Sequence, residues 1–289
     1  MEQWDGKSKG TLLGYKIFVF LLKKIGVGAA YTLLYFVAAY YYVFHIKSSR
    51  AMYTYFRERL KYSKIKALLS VYKNYYVFGQ TIIDKVAISS GLRDRYTYEF
   101  DGIDILKNLL EEKKGGVLIS AHIGNFEIAE KFFADIDFEM QINLVTTDLE
   151  RNVIKEYLES ICQKTSLKYI FIKEDLSHIF EINNALSNNE LICFTGDRYF
   201  AENKTIEADF LGKKAKFPLG PFLIASKLRV PVVFVYVMKE NNKHYHLYAR
   251  RAVSANKNPQ VLLDSYISNL EGMIEKYPLQ WFNYFDFWK

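Results

Sequence analysis

The chain has 289 residues, of which half are hydrophobic and 17% are aromatic, and its formal net charge is +7. This length is enough for one large α/β domain or two small ones. The basic balance indicates an anionic partner such as lipid head groups, an acidic carrier protein or nucleic acid. The two cysteines, Cys162 and Cys193, have no metal-type spacing. They exclude a disulfide framework and favour reduced thiols and a cytosolic face.

Residues 1–47 are predicted to form a hydrophobic, membrane-anchoring helical segment. Residues 25–44 carry no charge and would extend about 30 Å as one helix, which is the thickness of a bilayer core. Because this stretch also contains two glycines and five tyrosines, two alternatives stay open. One is a helix or helical hairpin that lies in one leaflet, and the other is a buried core helix.

Residues 48–289 are predicted to form one α/β domain, and its first part, residues 48–95, is predicted to be helical and basic. Arg and Lys side chains alternate there with Tyr, Phe and Leu. Such a pattern suits a membrane surface, a nucleic acid or a solvated helical face.

From residue 96 onward, short apolar runs alternate with amphipathic segments. This alternation predicts a single α/β domain with a mainly parallel sheet flanked by helices. The predicted strands are 98–100, 117–120, 142–146, 169–172, 190–195, 230–237 and 245–249, and the predicted helices are 103–112, 149–162, 177–186, 222–228 and 260–276.

The stretch around His122 is the predicted centre of the protein. His122 follows the apolar strand 117–120, and Glu127 lies in the first turn of the next helix, which Asn125 is expected to cap. Gly124 supplies the turn that lets the Glu127 carboxylate reach one imidazole nitrogen, while the other nitrogen takes a proton. The alternative is a chance His-x4-Glu pair around a half-buried histidine.

Two residues after the strand 190–195 are further candidates. Asp197 and Arg198 lie at the same sheet edge as His122, because the carboxyl ends of parallel strands share one edge. Arg198 is expected to hold a phosphate or a thioester oxygen, and Asp197 to fix the edge. The alternative is a surface Asp–Arg turn.

A lysine-rich stretch follows a strand that ends at residue 212. It is predicted to be a basic turn opposite the amino terminus of a helix that begins at residue 222, after Pro218, Gly220 and Pro221. Lysines opposite a helix amino terminus suit an anion, although the Walker pattern is absent. The three lysines are Lys213, Lys214 and Lys216.

No metal and no cofactor are expected. His244 and His246 share one side of the strand 245–249, but the sequence offers no third ligand nearby. The aromatic tail, residues 281–288, is expected to pack on the core or to sit at a lipid interface.

Taken in order, these stretches resemble the late acyltransferases of lipid A biosynthesis. These lauroyl/myristoyl acyltransferases are a branch of the lysophospholipid acyltransferase superfamily, and the resemblance covers most of the chain. It is carried by the hydrophobic amino terminus with residues 14–15 ahead of it, the His-x4-Glu box at 122–127, residues 196–198, residues 210–221 with Ala225, and residues 230–233.

The resemblance implies transfer of a fatty acyl chain from an acyl carrier protein or acyl-CoA thioester to a hydroxyl of a lipid A precursor, a step of lipopolysaccharide biosynthesis. The implied location is the cytoplasmic face of the bacterial inner membrane. On this basis His122 is the expected general base and Glu127 its partner. The expected substrate-binding residues are Asn125, Asp197, Arg198, Lys213, Lys214, Lys216 and Gly220.

The oxyanion formed during this transfer needs hydrogen-bond donors. They are expected from Arg198 or from a backbone amide near Gly124 or Gly220. Apolar walls of the acyl pocket are expected from Phe210, Phe217 and Phe222.

The partners expected are therefore the thioester donor, a membrane lipid acceptor and the membrane surface, without nucleic acid. Two alternatives stay open. The same chemistry could act on a lysophospholipid, an amino-acid lipid or a polyene pigment. The chain could also be a non-catalytic basic protein that binds acidic lipid or nucleic acid.

Overall fold

The described residues before residue 96 are mainly helical. The computed structural model describes residues 11–133, 141–146, 167–173, 175–200, 203–228, 230–253 and 258–288. Its amino-terminal helices are α1 (Leu12–Lys24), α2 (Val27–Phe44), α3 (Ile46–Thr54) and α4 (Lys64–Ala87), with π-helical turns at Tyr55–Arg59 and Ile88–Leu92 and a 3-10 turn at Arg93–Arg95.

The α/β part follows in the predicted order, and the ends of the predicted strands are confirmed to within four residues. Its strands are β1 (Thr97–Asp101), β2 (Gly116–Ser120), β3 (Ile142–Thr146), β4 (Lys168–Phe171), β5 (Leu191–Thr195), β6 (Thr205–Phe210), β7 (Lys213–Pro218), β8 (Val232–Asn241) and β9 (His244–Arg251). Its described helices are α5 (Ile103–Glu111), the 3-10 turn Phe126–Ile128 that leads into α6 (Ala129–Phe133), α7 (His178–Ser187), α8 (Leu219–Lys227) and α9 (Pro259–Lys276). The predicted helix at 149–162 lies outside the described residues.

Seven of these strands form one sheet in the order β1-β9-β8-β2-β5-β3-β4. Every neighbouring pair is parallel except β8 and β9, which form an antiparallel hairpin. Every residue of β2 is buried, as expected for a parallel strand covered on both faces. The predicted mainly parallel α/β architecture is therefore confirmed, and β2 is its central strand.

The predicted basic turn is wrong, because its lysines lie in a strand. Leu211 and Gly212 both have positive φ angles, 48° and 75°, so the chain reverses at these two residues. The lysines then fall in β7, where Lys214 lies opposite Asp209 and Lys216 opposite Glu207. The buried Ala215 and Phe217 alternate with the exposed lysines along β7.

The helix boundaries near the candidate residues also differ from the prediction. Asn125 makes no side-chain capping hydrogen bond. Its Nδ2 atom donates instead to the carbonyl oxygen of Thr81 in α4 at 2.9 Å. Helix α8 begins at Leu219 rather than at residue 222, because Pro218 already has the extended conformation of an N-cap residue. Gly220 therefore lies inside the first turn of α8.

Helices α1 and α2 share a hydrophobic cluster with α4, α6 and the strands β8 and β9. Buried members of that cluster include Leu34 of α2, Ile83 of α4 and Ile128 beside the His122 loop. Among the described residues, α2 is the helix long and apolar enough to cross a membrane, with a mean hydropathy of 1.4 and 28% of its residues buried. The division of the chain at residue 47 stays a prediction.

Gly124 lets the loop after β2 pass close to β8. Its φ angle is +64°, and a Cβ atom there would lie 2.1 Å from the carbonyl oxygen of Val237. We expect Gly124→Ala to lower the free energy of unfolding by about 2 kcal/mol or more, because backbone strain adds to this clash. Urea unfolding followed by circular dichroism measures the change.

The matched control is Gly272→Ala, because a Cβ atom at the helical Gly272 meets nothing within 4 Å. That variant is expected to gain about 0.5–1 kcal/mol from helix propensity. Equal stabilities for the Gly124 and Gly272 variants would show that the loop does not need a glycine.

Candidate active site

The register of two neighbouring strands brings His122 and Asp197 together. In the β2–β5 ladder, Ser120 pairs with Thr195. His122 and Asp197 each lie two residues beyond those paired ends. The two side chains therefore meet at the carboxyl edge of the sheet, although 75 residues separate them in the chain.

The Asp197 carboxylate is completely buried and is surrounded by donors. Its Oδ1 atom lies 2.7 Å from Nδ1 of His122. The backbone N–H of His122 donates to both carboxylate oxygens at 3.1 Å, and the indole N–H of Trp281 donates to Oδ2 at 3.3 Å. An ionised carboxylate accepts hydrogen bonds, so the ring proton of a neutral His122 lies on Nδ1 and its lone pair on Nε2.

The electrostatic environment keeps His122 neutral and Asp197 ionised. Burial lowers the pKa of His122, and the nearby Arg198 cation lowers it further, whereas Asp197 and Glu127 oppose these effects. Burial alone would raise the pKa of Asp197, but the imidazole, its hydrogen bonds and Arg198 outweigh burial and hold that pKa below its usual value. The imidazole side chain is still 27% exposed, so it is both basic in form and accessible.

Glu127 is a second carboxylate near the imidazole. Its Oε2 atom forms an ion pair with Nζ of Lys85 in α4. The Lys85 cation is the main cause of the lowered pKa of Glu127, and His122 contributes to it. Glu127 in turn raises the pKa of His122 through its charge. Its predicted catalytic role stays a prediction.

Arg198 and His122 both form hydrogen bonds with the backbone of Phe282. Its Nη2 atom donates to the carbonyl oxygen of Phe282, while the backbone N–H of Phe282 donates to the carbonyl oxygen of His122 at 2.9 Å. Burial lowers the pKa of Arg198 to about 10, so the guanidinium remains a cation at neutral pH. The Gly124 amide, an alternative oxyanion donor in the prediction, donates to the carbonyl oxygen of Gln280 at 2.9 Å instead.

The carboxyl-terminal tail holds the His122 loop in place. Ile123 and Trp281 form an antiparallel bridge, and the hydrogen bonds of Gln280 and Phe282 flank it. Trp281 is also packed against Phe210 at a ring distance of 5.5 Å. Of the two settings expected for this tail, the core and a lipid interface, Trp281 and Phe287 are in the core, and no local pattern pointed to the contact with His122.

Three buried polar side chains near this pair have no hydrogen-bond partner in the described part of the chain. They are the hydroxyls of Ser120 and Tyr236 and the side-chain amide of Asn283. Burial raises the pKa of the Tyr236 phenol, and the nearby Asp197 carboxylate raises that pKa further. A buried polar group without a partner costs about 1–3 kcal/mol, so these groups are suited to bind ordered water.

The other predicted residues lie in different settings. Asn125 is buried and supports the loop through Thr81, and Gly220 is exposed on α8. The three lysines of β7 are exposed on the two-stranded hairpin. The three phenylalanines proposed as pocket walls are completely buried in the main core, and they are Phe210, Phe217 and Phe222.

His244 and His246 lie at the far edge of the sheet, next to β1. Their side chains share one side of β9. The same carboxylate oxygen of Glu99 lies 2.9 Å from Nδ1 of His246 and 3.6 Å from Nε2 of His244. Among the described residues, no group of three or more His, Cys, Asp or Glu side chains is arranged to hold a metal ion.

The His122–Asp197 pair lies at the carboxyl ends of parallel strands, where open α/β sheets bind their ligands. Residues 68–289 match the model of a protein family described as bacterial lipid A biosynthesis acyltransferase. The chain therefore belongs to this family and is an acyltransferase. The family is membrane-associated. A comparison with curated proteins finds no match.

The lowered pKa of His122 has a consequence for the pH dependence of acyl transfer. A general base acts in its neutral form, so kcat/KM should fall as pH drops through a pKa below about 6.5 and stay level above it. Initial rates measured across pH give this midpoint.

The control is His244→Gln, which changes a histidine far along the sheet and should keep the same midpoint. In contrast, Asp197→Asn removes a charge that raises the pKa of His122, so its midpoint should move to lower pH. A wild-type midpoint above pH 7 would contradict a buried, neutral base.

Proposed function

We propose that this acyltransferase moves a fatty acyl chain from an acyl carrier protein or acyl-CoA thioester to a hydroxyl of a lipid A precursor. The proposed location is the cytoplasmic face of the bacterial inner membrane. The main support is one observation: His122, at the end of the central strand, is held through Nδ1 by the buried Asp197. The family match supports the substrate class.

In the proposed reaction, Nε2 of His122 takes the proton of the acceptor hydroxyl as its oxygen attacks the thioester carbonyl. The tetrahedral intermediate then collapses, the C–S bond breaks, and the imidazolium returns the proton to the leaving thiolate. The products are an ester and a free thiol. Proton transfer of this kind contributes about 10²–10⁴-fold to the rate. No acyl-enzyme is required, because the thioester is already activated.

We assign the charged side chains near His122 to the two charges that develop in the reaction, the imidazolium and the oxyanion. Asp197 stabilises the imidazolium that forms when His122 takes the proton. Arg198, which stays cationic beside the pair, is the proposed donor to the oxyanion. The charge of Glu127 favours the same imidazolium. The predicted binding residues Asn125 and Gly220 and the lysines of β7 remain proposals for holding the donor or acceptor.

Substitutions of the two central residues test the mechanism. His122→Ala and Asp197→Asn should each lower kcat by about 10²–10⁴-fold with little change in KM, because each removes transition-state stabilisation. Glu127→Gln should lose less than His122→Ala, since Glu127 is 48% exposed and its charge is screened. The assay measures acylated product by mass spectrometry.

The control is Asp264→Asn, which changes an exposed carboxylate on α9 and should keep wild-type turnover. Unfolding curves confirm that each variant is folded. Wild-type turnover in the folded His122→Ala variant would remove His122 from the chemistry.

A panel of donors and acceptors tests the substrate class. The purified enzyme is incubated with acylated carrier protein or acyl-CoA, and with a lipid A precursor, a lysophospholipid or an amino-acid lipid. Acylation of the lipid A precursor supports the proposal. Acylation of another lipid alone would contradict the proposed acceptor and would assign the same reaction to that other lipid. Salt-sensitive RNA binding without any acyl product would contradict it.

A further inference from the structure

Helix α2 is attached along its length to α4. The Tyr31 hydroxyl donates to Oδ1 of Asp84 at 2.5 Å. Eleven residues later, the Tyr42 ring lies edge-on to the ring of Tyr72. Pairs between these ends include Leu34 against Gly79, and Tyr35 stacked on Tyr76 at 4.4 Å. The two helices are therefore antiparallel neighbours over about three turns.

The attachment at Tyr31 is a buried polar cluster. Lys239 of β8 donates through Nζ to Asp84 at 2.5 Å and to the Tyr31 hydroxyl at 3.0 Å. Tyr96 and Tyr245 also donate to Asp84. Separating α2 from the sheet would remove the Tyr31 hydroxyl from both Asp84 and Lys239, which costs the hydrogen bonds of a buried polar group.

Helix α4 also supports the candidate active site. The amide of Asn74 donates to the carbonyl oxygens of Leu279 and Trp281, at 3.0 and 3.2 Å. Further along α4, Thr81 accepts from Asn125, and Lys85 pairs with Glu127. If α2 crossed a bilayer, α4 and these charged groups would lie at bilayer depth beside it, where exposed charge is costly.

Helices α1, α2 and α4 each also carry exposed apolar residues. The exposed residues recur at spacings of three and four, so each set lies on one side of its helix. They are Leu13, Ile17 and Phe20 on α1, Phe36, Tyr40, Val43 and Phe44 on α2, and Ile65, Leu68 and Leu69 on α4. We call this set the apolar face.

The same segment carries the positive charge of the protein. Residues 11–73 contain eleven Lys and Arg side chains and one acidic side chain, Glu58, which gives a net charge of +10. Because the whole chain has +7, the remaining residues together carry −3. A cationic segment with an apolar face matches the surface of an anionic leaflet.

We propose that α1, α2 and the start of α4 lie in the plane of one membrane leaflet, and that α2 does not span the bilayer. The apolar face enters the leaflet, and the surrounding cations contact anionic head groups. Helix α4 contacts both α2 and the His122 loop, so the proposed orientation holds the candidate active site beside the leaflet.

Cysteine labelling separates an in-plane helix from a spanning one. Lys24→Cys and Lys47→Cys flank α2, and each is placed in a chain with Cys162→Ser; the remaining Cys193 is buried. A membrane-impermeant maleimide should label both cysteines in inverted inner-membrane vesicles and neither in spheroplasts. Labelling of Lys24→Cys in spheroplasts, with Lys47→Cys labelled in inverted vesicles alone, would overturn the proposal.

Vesicle binding tests the apolar face directly. Phe36 and Phe44 are 72% and 68% exposed, and Phe36→Glu with Phe44→Glu should weaken flotation with phosphatidylcholine–phosphatidylglycerol vesicles by about tenfold or more. The matched control is Phe180→Glu, which changes a phenylalanine that is 78% exposed on α7, and it should float like the wild type. Omitting phosphatidylglycerol should also weaken binding.

Unchanged flotation of the double variant, or equal loss in the Phe180 variant, would contradict the proposal. The labelling and flotation measurements do not depend on acyl transfer. They can therefore fail while the proposed reaction holds, and they can succeed while the proposed reaction fails.

Discussion

The carboxylate of Asp197 is a charge held completely out of water between the ends of two parallel strands. Such a charge is tolerated only when its oxygens accept good hydrogen bonds. Here the backbone and ring of His122 and the indole of Trp281 provide them. The register of β2 and β5 brings His122 to this carboxylate, and the carboxyl-terminal tail fixes the loop and supplies the Trp281 donor, so the sheet and the tail together determine the orientation of the imidazole.

The abundance of aromatic residues has a structural explanation around this pair. The tail packs its rings against the core: Trp281 lies 5.2 Å from Phe287 and 5.0 Å from Tyr55 between ring centroids. On its other side, Tyr284 stacks on Tyr75 of α4 at 5.0 Å. The tail is thus fixed between the core and α4, and its backbone can hold the His122 loop without being part of the sheet.

Much of the fold follows from local sequence patterns. Short apolar runs with β-branched residues, such as 117–120, indicate buried strands, and their alternation with helices implies a parallel sheet. That reasoning correctly placed His122 at a strand end and Asp197 at the same sheet edge. It did not pair them, because the contact depends on which strands are neighbours and in what register. The prediction for the lysines of β7 failed for a local reason, since the tight turn falls at Leu211 and Gly212.

The position of the ring proton on His122 tests the central interaction most directly. Nitrogen NMR of the protein with 15N-labelled histidine, with His122 assigned through a His122→Gln variant, distinguishes the two neutral tautomers. The expected result at neutral pH is a neutral ring protonated at Nδ1, with a hydrogen-bonded shift that is lost in Asp197→Asn. A ring protonated at Nε2, or a spectrum unchanged by Asp197→Asn, would contradict an imidazole held ready by that buried carboxylate.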